Sequence, residues 1–141
     1  MPRFSANISM LFREHDVLER PRLARKAGFG AVEIQFPYDH PTAAWLEVKR
    51  RIKLPIALFN VPAGDLIRGG QGLAGVPGRE AEFREALDLA AVYAKALKPR
   101  LVNVLAGAPT GDRARSLETF VGNLRLAARV MAEFGVGVTV E

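Results

Sequence analysis

Short apolar runs of five to seven residues recur along this chain, each separated from the next by an amphipathic segment of helical period, and this alternation constrains the fold more than any other feature. Residues 4–8, 30–36, 55–60, 100–106 and 137–141 read as strands. Val17, Leu18, Leu23 and Ala24 mark a first helix, capped by Asp16 and stopped at Gly28. Ala44, Trp45, Val48 and Ile52 mark a second, from about Pro41. Phe83, Leu87, Ala90, Ala91 and Ala94 mark a third over 79–97. Phe120, Leu124, Ala127, Ala128 and Met131 mark a fourth, from about Ser116 to a stop at Gly135. Strands that alternate with helices pair in parallel through right-handed crossovers, so the pattern predicts an α/β fold with a parallel sheet buried on both faces.

Two architectures accommodate five strands and four helices. One is a doubly wound open sheet; the other is part of a (β/α)8 TIM barrel, whose eight units need about 250 residues. The 141 residues close on the apolar run 137–141. In an open sheet that strand would present an uncovered edge, which invites association. The expectation is therefore a partial TIM barrel of about five parallel strands and four helices. Residues 1–141 would form a single domain, the N-terminal portion of a longer enzyme.

Composition narrows the chemistry. The chain has no cysteine, which excludes a disulfide scaffold, a thiol nucleophile and a cysteine-ligated zinc site, and suits a reducing cytoplasm. No apolar run reaches the length of a membrane span, and Met1-Pro2-Arg3-Phe4 does not open a signal peptide. A cytoplasmic protein without a membrane partner is expected. The formal charge of +5 admits either nucleic acid or an anionic small molecule. The cations are scattered among Glu and Asp, however, and the one dense run, Lys49-Arg50-Arg51-Ile52-Lys53, closes a helix, where cations oppose the macrodipole. No nucleic-acid partner is expected. His15 and His40 lack a spaced partner for metal ligation, and Ser5, Ser9 and Ser116 lack a nucleophile-elbow context.

In a parallel α/β sheet the site lies at the C-terminal ends of the strands. Glu141 stands there on the fifth strand, a carboxylate able to bind a hard divalent metal or move a proton at a sugar carbon. Read from position alone, a solvated carboxylate at a strand end is the favoured reading. Glu33 points opposite to Val32 and Ile34, so it serves either a buried network or the site. Asn7, Asn60 and Asn103 carry amides that can bind substrate hydroxyls or satisfy backbone groups, with Asn60 the foremost. The glycine-rich loop 66–78 matches neither the Walker pattern nor GxGxxG. It reads as a lid or a flexible surface loop, with Arg68 a candidate substrate contact.

The motifs FSANISMLF at 4–12, GF at 28–29 with Val32-Glu33, FPYD at 36–39, FNVPAGD at 59–65 and PGRE at 77–80 occur in order along the whole chain. In them the chain resembles the hydroxypyruvate isomerase family, within the xylose-isomerase-like TIM barrels. The resemblance implies isomerisation of hydroxypyruvate to tartronate semialdehyde, an aldose–ketose interconversion through a metal-held enediolate with two glutamates moving the proton. VTVE at 138–141 matches the family as far as the first of those glutamates, so Glu141 is implied as both metal ligand and acid–base group. The metal would be Mg or Mn. The remaining ligands and the second glutamate belong to later strands. The 141-residue chain by itself is thus expected to hold no metal stably and to be inactive. Leu66 stands where a tryptophan often follows the aspartate. The motifs do not separate this activity from 2-oxo-tetronate isomerase or a related sugar isomerase or epimerase. A non-catalytic half-barrel, whose copies cover each other's open edges, would also accommodate the pattern. So would a nuclease of the related endonuclease barrel, suggested by the basic charge and opposed by the two unspaced histidines.

Overall fold

The structure, a computed structural model, describes residues 3–141; Met1 and Pro2, which begin the stretch read for a targeting signal, lie outside them. The chain runs β1 (Ser5–Asn7), α1 (Arg20–Lys26), β2 (Ala31–Ile34), α2 (Thr42–Ile52), β3 (Ile56–Asn60), α3 (Glu80–Leu97), β4 (Leu101–Val104), α4 (Arg113–Ala132) and β5 (Gly137–Val140). All four strand pairings are parallel, and the sheet order is β1-β2-β3-β4-β5.

That order decides between the two architectures. A doubly wound sheet reverses its strand order at a switch point. Here every strand lies beside its predecessor, and right-handed crossovers taken always in one direction put every helix on the same face. The helices accordingly pack in succession, α1 on α2, α2 on α3 and α3 on α4. The result is an arc of a singly wound barrel, as expected: helices outside, a second sheet face inside.

The alternation along each strand sorts side chains between these faces. Val32, Ile34, Phe59, Val102 and Val104 point outward and are almost wholly buried, packed with Trp45, Phe83, Leu87, Leu97 and Met131. The Trp45 indole also donates to the Pro37 carbonyl at 2.8 Å, so its one polar atom is satisfied inside this layer.

Two helix starts differ from the sequence expectation. Asp16 does not cap a helix; its carboxylate accepts from the Leu18 amide at 2.9 Å and closes a turn, and α1 begins at Arg20 with Pro21 in its first turn. Val17 and Leu18 still pack on the core, but from that turn. Conversely α4 begins at Arg113 rather than about Ser116, because the Asp112 side chain accepts from the Ala114 and Arg115 amides. Two of the basic residues near helix ends bond to helix-end carbonyls: Arg25 donates to the Ile52 carbonyl, and Lys49 reaches the Leu97 carbonyl at the end of α3. Among the described residues no helix is long and apolar enough to cross a membrane.

Candidate active site

The inner face of the sheet carries the polar residues. Register places Asn7 beside Glu33, Asn60 beside Asn103, and Asn103 beside Thr139. A bulge between Val32 and Glu33 shifts β3 by one residue against β2, pairing Glu33 with Leu58. The shift leaves Phe59 on the helix side with Ile34 and turns Asn60 inward.

The focus of the site is Asn103, with 2% of its surface exposed. Its amide nitrogen donates to the Asn60 side-chain oxygen at 3.1 Å and to Glu141 Oε2 at 3.0 Å. Three strand ends are thereby tied together, β3 by Asn60, β4 by Asn103 and β5 by the glutamate that follows it. The Glu141 carbonyl further accepts from the Ala106 amide at 3.1 Å, which fixes its backbone against β4. The Glu141 side chain is exposed, and its second carboxylate oxygen has no partner among the described residues.

Behind Asn60 stands an aromatic prop that the sequence did not reveal. The Tyr38 hydroxyl donates to the Asn60 carbonyl at 2.6 Å, and its ring meets Phe59 and Tyr93 edge-on, with centroids 6.2 and 4.9 Å apart. Burial, and then the neighbouring Tyr93, push the Tyr38 hydroxyl well above its ordinary pKa, so it remains a donor. The FPYD motif was visible, but nothing in it showed which backbone group the tyrosine would reach.

The other candidates lie apart from this cluster. Asn7 accepts from the Ser9 amide at 3.1 Å, and Ser9 Oγ accepts from the Gln35 amide at 2.9 Å, so Asn7 organises the turn after β1. Glu33 is half-buried on the inner face, and its carboxylate has no hydrogen bond among the described residues. Arg68 sits on an exposed turn, Leu66–Arg68, with its guanidinium unbonded among them. His40 packs edge-on against Trp45 at 6.1 Å.

The loop 66–78 is fastened down rather than free. Leu73 and Ala74 are buried, with 5% and 2% exposure. The Gly75 amide donates to the Ala106 carbonyl at 2.9 Å, the Ala108 amide to the Gln71 carbonyl at 2.8 Å, and the Asn123 side chain to the Ala74 carbonyl at 2.9 Å. At its base, one Asp65 oxygen accepts from the Gly72 amide and from Arg79, each at 3.0 Å, and Arg79 also donates to the Gly72 carbonyl at 2.8 Å and to Glu82 at 2.7 Å. The Gly72 amide first, and the Arg79 guanidinium next, hold the Asp65 carboxyl below the usual range. Only the tip stands clear, with Ile67 67% exposed beside Arg68.

Glu141 can offer one hard oxygen ligand to a divalent cation, but among the described residues no three His, Asp or Glu side chains converge. These residues do not complete a metal centre. What they provide is an exposed carboxylate at a strand end, with one oxygen fixed by a buried amide and the other free to exchange a proton.

Comparison with known proteins gives three findings. The family model described as xylose isomerase-like TIM barrel matches residues 21–141. A 2-oxo-tetronate isomerase from Cupriavidus necator is 43% identical and a hydroxypyruvate isomerase from Escherichia coli 42% identical, each alignment covering 100% of this chain and 55% of the relative. A solved structure from Brucella melitensis, described as AP endonuclease, family 2, superposes with a TM-score of 0.93 at 45% identity, covering 99% of this chain and 55% of that one. The chain thus spans about half the length of the curated relatives it matches.

Proposed function

Because the chain belongs to the xylose isomerase-like TIM barrel family, we propose that it is part of an isomerase acting on a small 2-oxo hydroxy acid such as hydroxypyruvate or 2-oxo-tetronate. The observation that carries this reading is Glu141, exposed at the C-terminal end of β5 with Oε2 held by Asn103. Aldose–ketose isomerisation removes a proton from the hydroxyl-bearing carbon and delivers one to the neighbouring carbonyl carbon, while the hydroxyl proton passes to the former carbonyl oxygen. The molecular formula is unchanged. Glu141 would exchange the carbon-bound proton through its free oxygen, and the fixed oxygen keeps the carboxylate plane in place. Asn60, Asn7 and Arg68 are the proposed substrate contacts, the last as a cation for the substrate carboxylate. A divalent metal, Mg or Mn, would act as a Lewis acid on the substrate oxygens. Glu141 is the ligand proposed from this chain, and the others would come from the part of the barrel that the longer relatives possess. A cytoplasmic setting and a small-molecule partner belong to the same reading, supported by the absence of cysteine and the scattered cations.

The test is Glu141→Gln in the protein carrying this chain, assayed on hydroxypyruvate and 2-oxo-tetronate with added Mn. Loss of a positioned acid–base group should lower kcat/KM by about 100- to 10,000-fold with little change in melting temperature. A variant as active as the parent would overturn the assignment. Salt-dependent cleavage of abasic DNA, with no isomerisation of either acid, would favour the activity that the Brucella protein's description names.

A further inference from the structure

Glu33 is a carboxylate on the inner face of the sheet that the proposed reaction leaves without a task. It stands on β2 between Val32 and Ile34, which point to the helices and are each 2% exposed, whereas Glu33 is only half-buried. Its neighbours in register give it no donor. Leu58 is apolar, and the Asn7 side chain is turned to the Ser9 amide. Among the described residues, the side-chain atoms both enclosed and unpartnered are Ser5 Oγ and Asn103 Oδ1. The Glu33 carboxylate is not one of them. It has no partner there, yet it is open to approach from the inner side, since α1 covers the other face of β2. An ionised carboxylate partly out of water calls for a donor. The bulge between Val32 and Glu33 falls at this very residue, and bulges beside active sites re-aim side chains.

The register also fixes its height. Carried across the sheet to β5, the last residues of β1, β2, β3 and β4 (Asn7, Ile34, Asn60 and Val104) lie level with Gly137, Val138, Thr139 and Val140. The rim thus climbs one residue per strand, the stagger of an eight-stranded barrel of shear eight. Measured from that rim, Glu33 is one residue below it and Glu141 one residue above. The two carboxylates face the same mouth from β2 and β5, with Glu33 the deeper by two residues, about 7 Å along the strands.

We propose that Glu33 determines the length of the substrate, by accepting a hydrogen bond from a hydroxyl on the carbon beyond the two that react, and so selects a four-carbon acid over a three-carbon one. The proposal rests on the isomerase reading and deepens it. Hydroxypyruvate ends at its reacting hydroxymethyl carbon. In 2-oxo-tetronate one more hydroxymethyl group follows. With the reacting carbons at Glu141, that group points down the barrel toward Glu33, where a carboxylate accepts from it. The same negative charge repels the substrate's own carboxylate, which is directed up to the rim, the side of the Arg68 turn. One residue thereby sets both the direction and the length of the bound acid.

The test is the ratio of kcat/KM for 2-oxo-tetronate to that for hydroxypyruvate, in the protein carrying this chain. The parent should favour the four-carbon acid by about 10- to 100-fold, the scale of one hydrogen bond to a charged group. Glu33→Ala should bring the ratio to within about threefold of one. Glu33→Gln keeps the shape and a weaker, neutral acceptor, so it should narrow the ratio without abolishing it. It also serves if the alanine variant does not fold, and melting curves check both. A carboxylate that merely pairs with a cation elsewhere in the barrel would, when replaced, slow both acids alike. A ratio unchanged in the folded variants therefore overturns the proposal, as does a parent that isomerises both acids equally well or favours hydroxypyruvate. A parent that isomerises neither acid removes the isomerase reading itself, and this proposal with it.

Discussion

At Gly107, just beyond β4, the backbone leaves no place for a side chain. Its φ is +86°, and a Cβ there would collide with the Gln71 carbonyl oxygen, whose position is set by the loop crossing above. Gly111 also has a left-handed φ, +98°, but open space around it. Gly111→Ala should therefore cost only the conformational part, about 1–2 kcal/mol. Gly107→Ala should cost that and the displacement of the loop, together more than about 3 kcal/mol. Urea denaturation of the two variants measures the difference, and equal losses would mean that the loop yields freely. At this scale the sequence was least informative. Glu141 and Asn60 could be picked out because strand ends are where α/β sites form. Asn103 could not be ranked above its fellow asparagines, because its importance lies in two distances to residues 43 and 38 positions away in the chain.

Among the elements, the glycine-rich loop departs most from what its composition suggests. Glycine content reads as mobility, but here glycines let the backbone approach β4 closely, while Leu73 and Ala74 fill the core. The fastening at its base is electrostatic and so depends on pH. The pKa values of Asp65 and Glu82 are lowered in the folded state, Asp65 first by the Gly72 amide and then by Arg79, Glu82 by Arg79. A carboxyl of lowered pKa stabilises the fold above its unfolded pKa, and that contribution disappears as pH falls through the folded value. The loop should thus be tight at neutral pH and loosen only below about pH 4, the ordinary carboxylate range. Amide exchange at Gly72 should accelerate there relative to β3, and Asp65→Asn should flatten the dependence. No acceleration down to about pH 2 would mean that the apolar contacts alone hold the loop. Helices were legible to within a few residues because their apolar period is imposed by the core, Trp45 and Phe83 included. Their starts were less so. Asp16 and Asp112 both precede a helical pattern, and which of them caps depends on where the next amides point, a matter settled by packing.

For the molecule as a whole, the sequence pattern supplied strands and helices but not their order in the sheet. A doubly wound sheet and a barrel arc share the same alternation, and only the pairing of each strand with its predecessor separates them. That order also sets a gradient of protection. β2, β3 and β4 have neighbours on both sides, whereas β1 and β5 each have one among the described residues. In the 141-residue chain, hydrogen exchange should be slowest in β3 and faster in β1 and β5 by more than about tenfold, since outer strands open locally without the rest. Equal protection at the edges would show that strands of a second copy cover them in solution.

The same sheet order bears on how such a chain is made. As synthesis proceeds, each new strand emerges to find its partner already in place, one helix back along the chain. No strand has to wait for a distant segment before its inner neighbour is available, and every loop closed is of the length of a single strand–helix unit. Assembly can keep pace with the ribosome, laying strand beside strand, and the growing edge of the sheet is always the part most recently made.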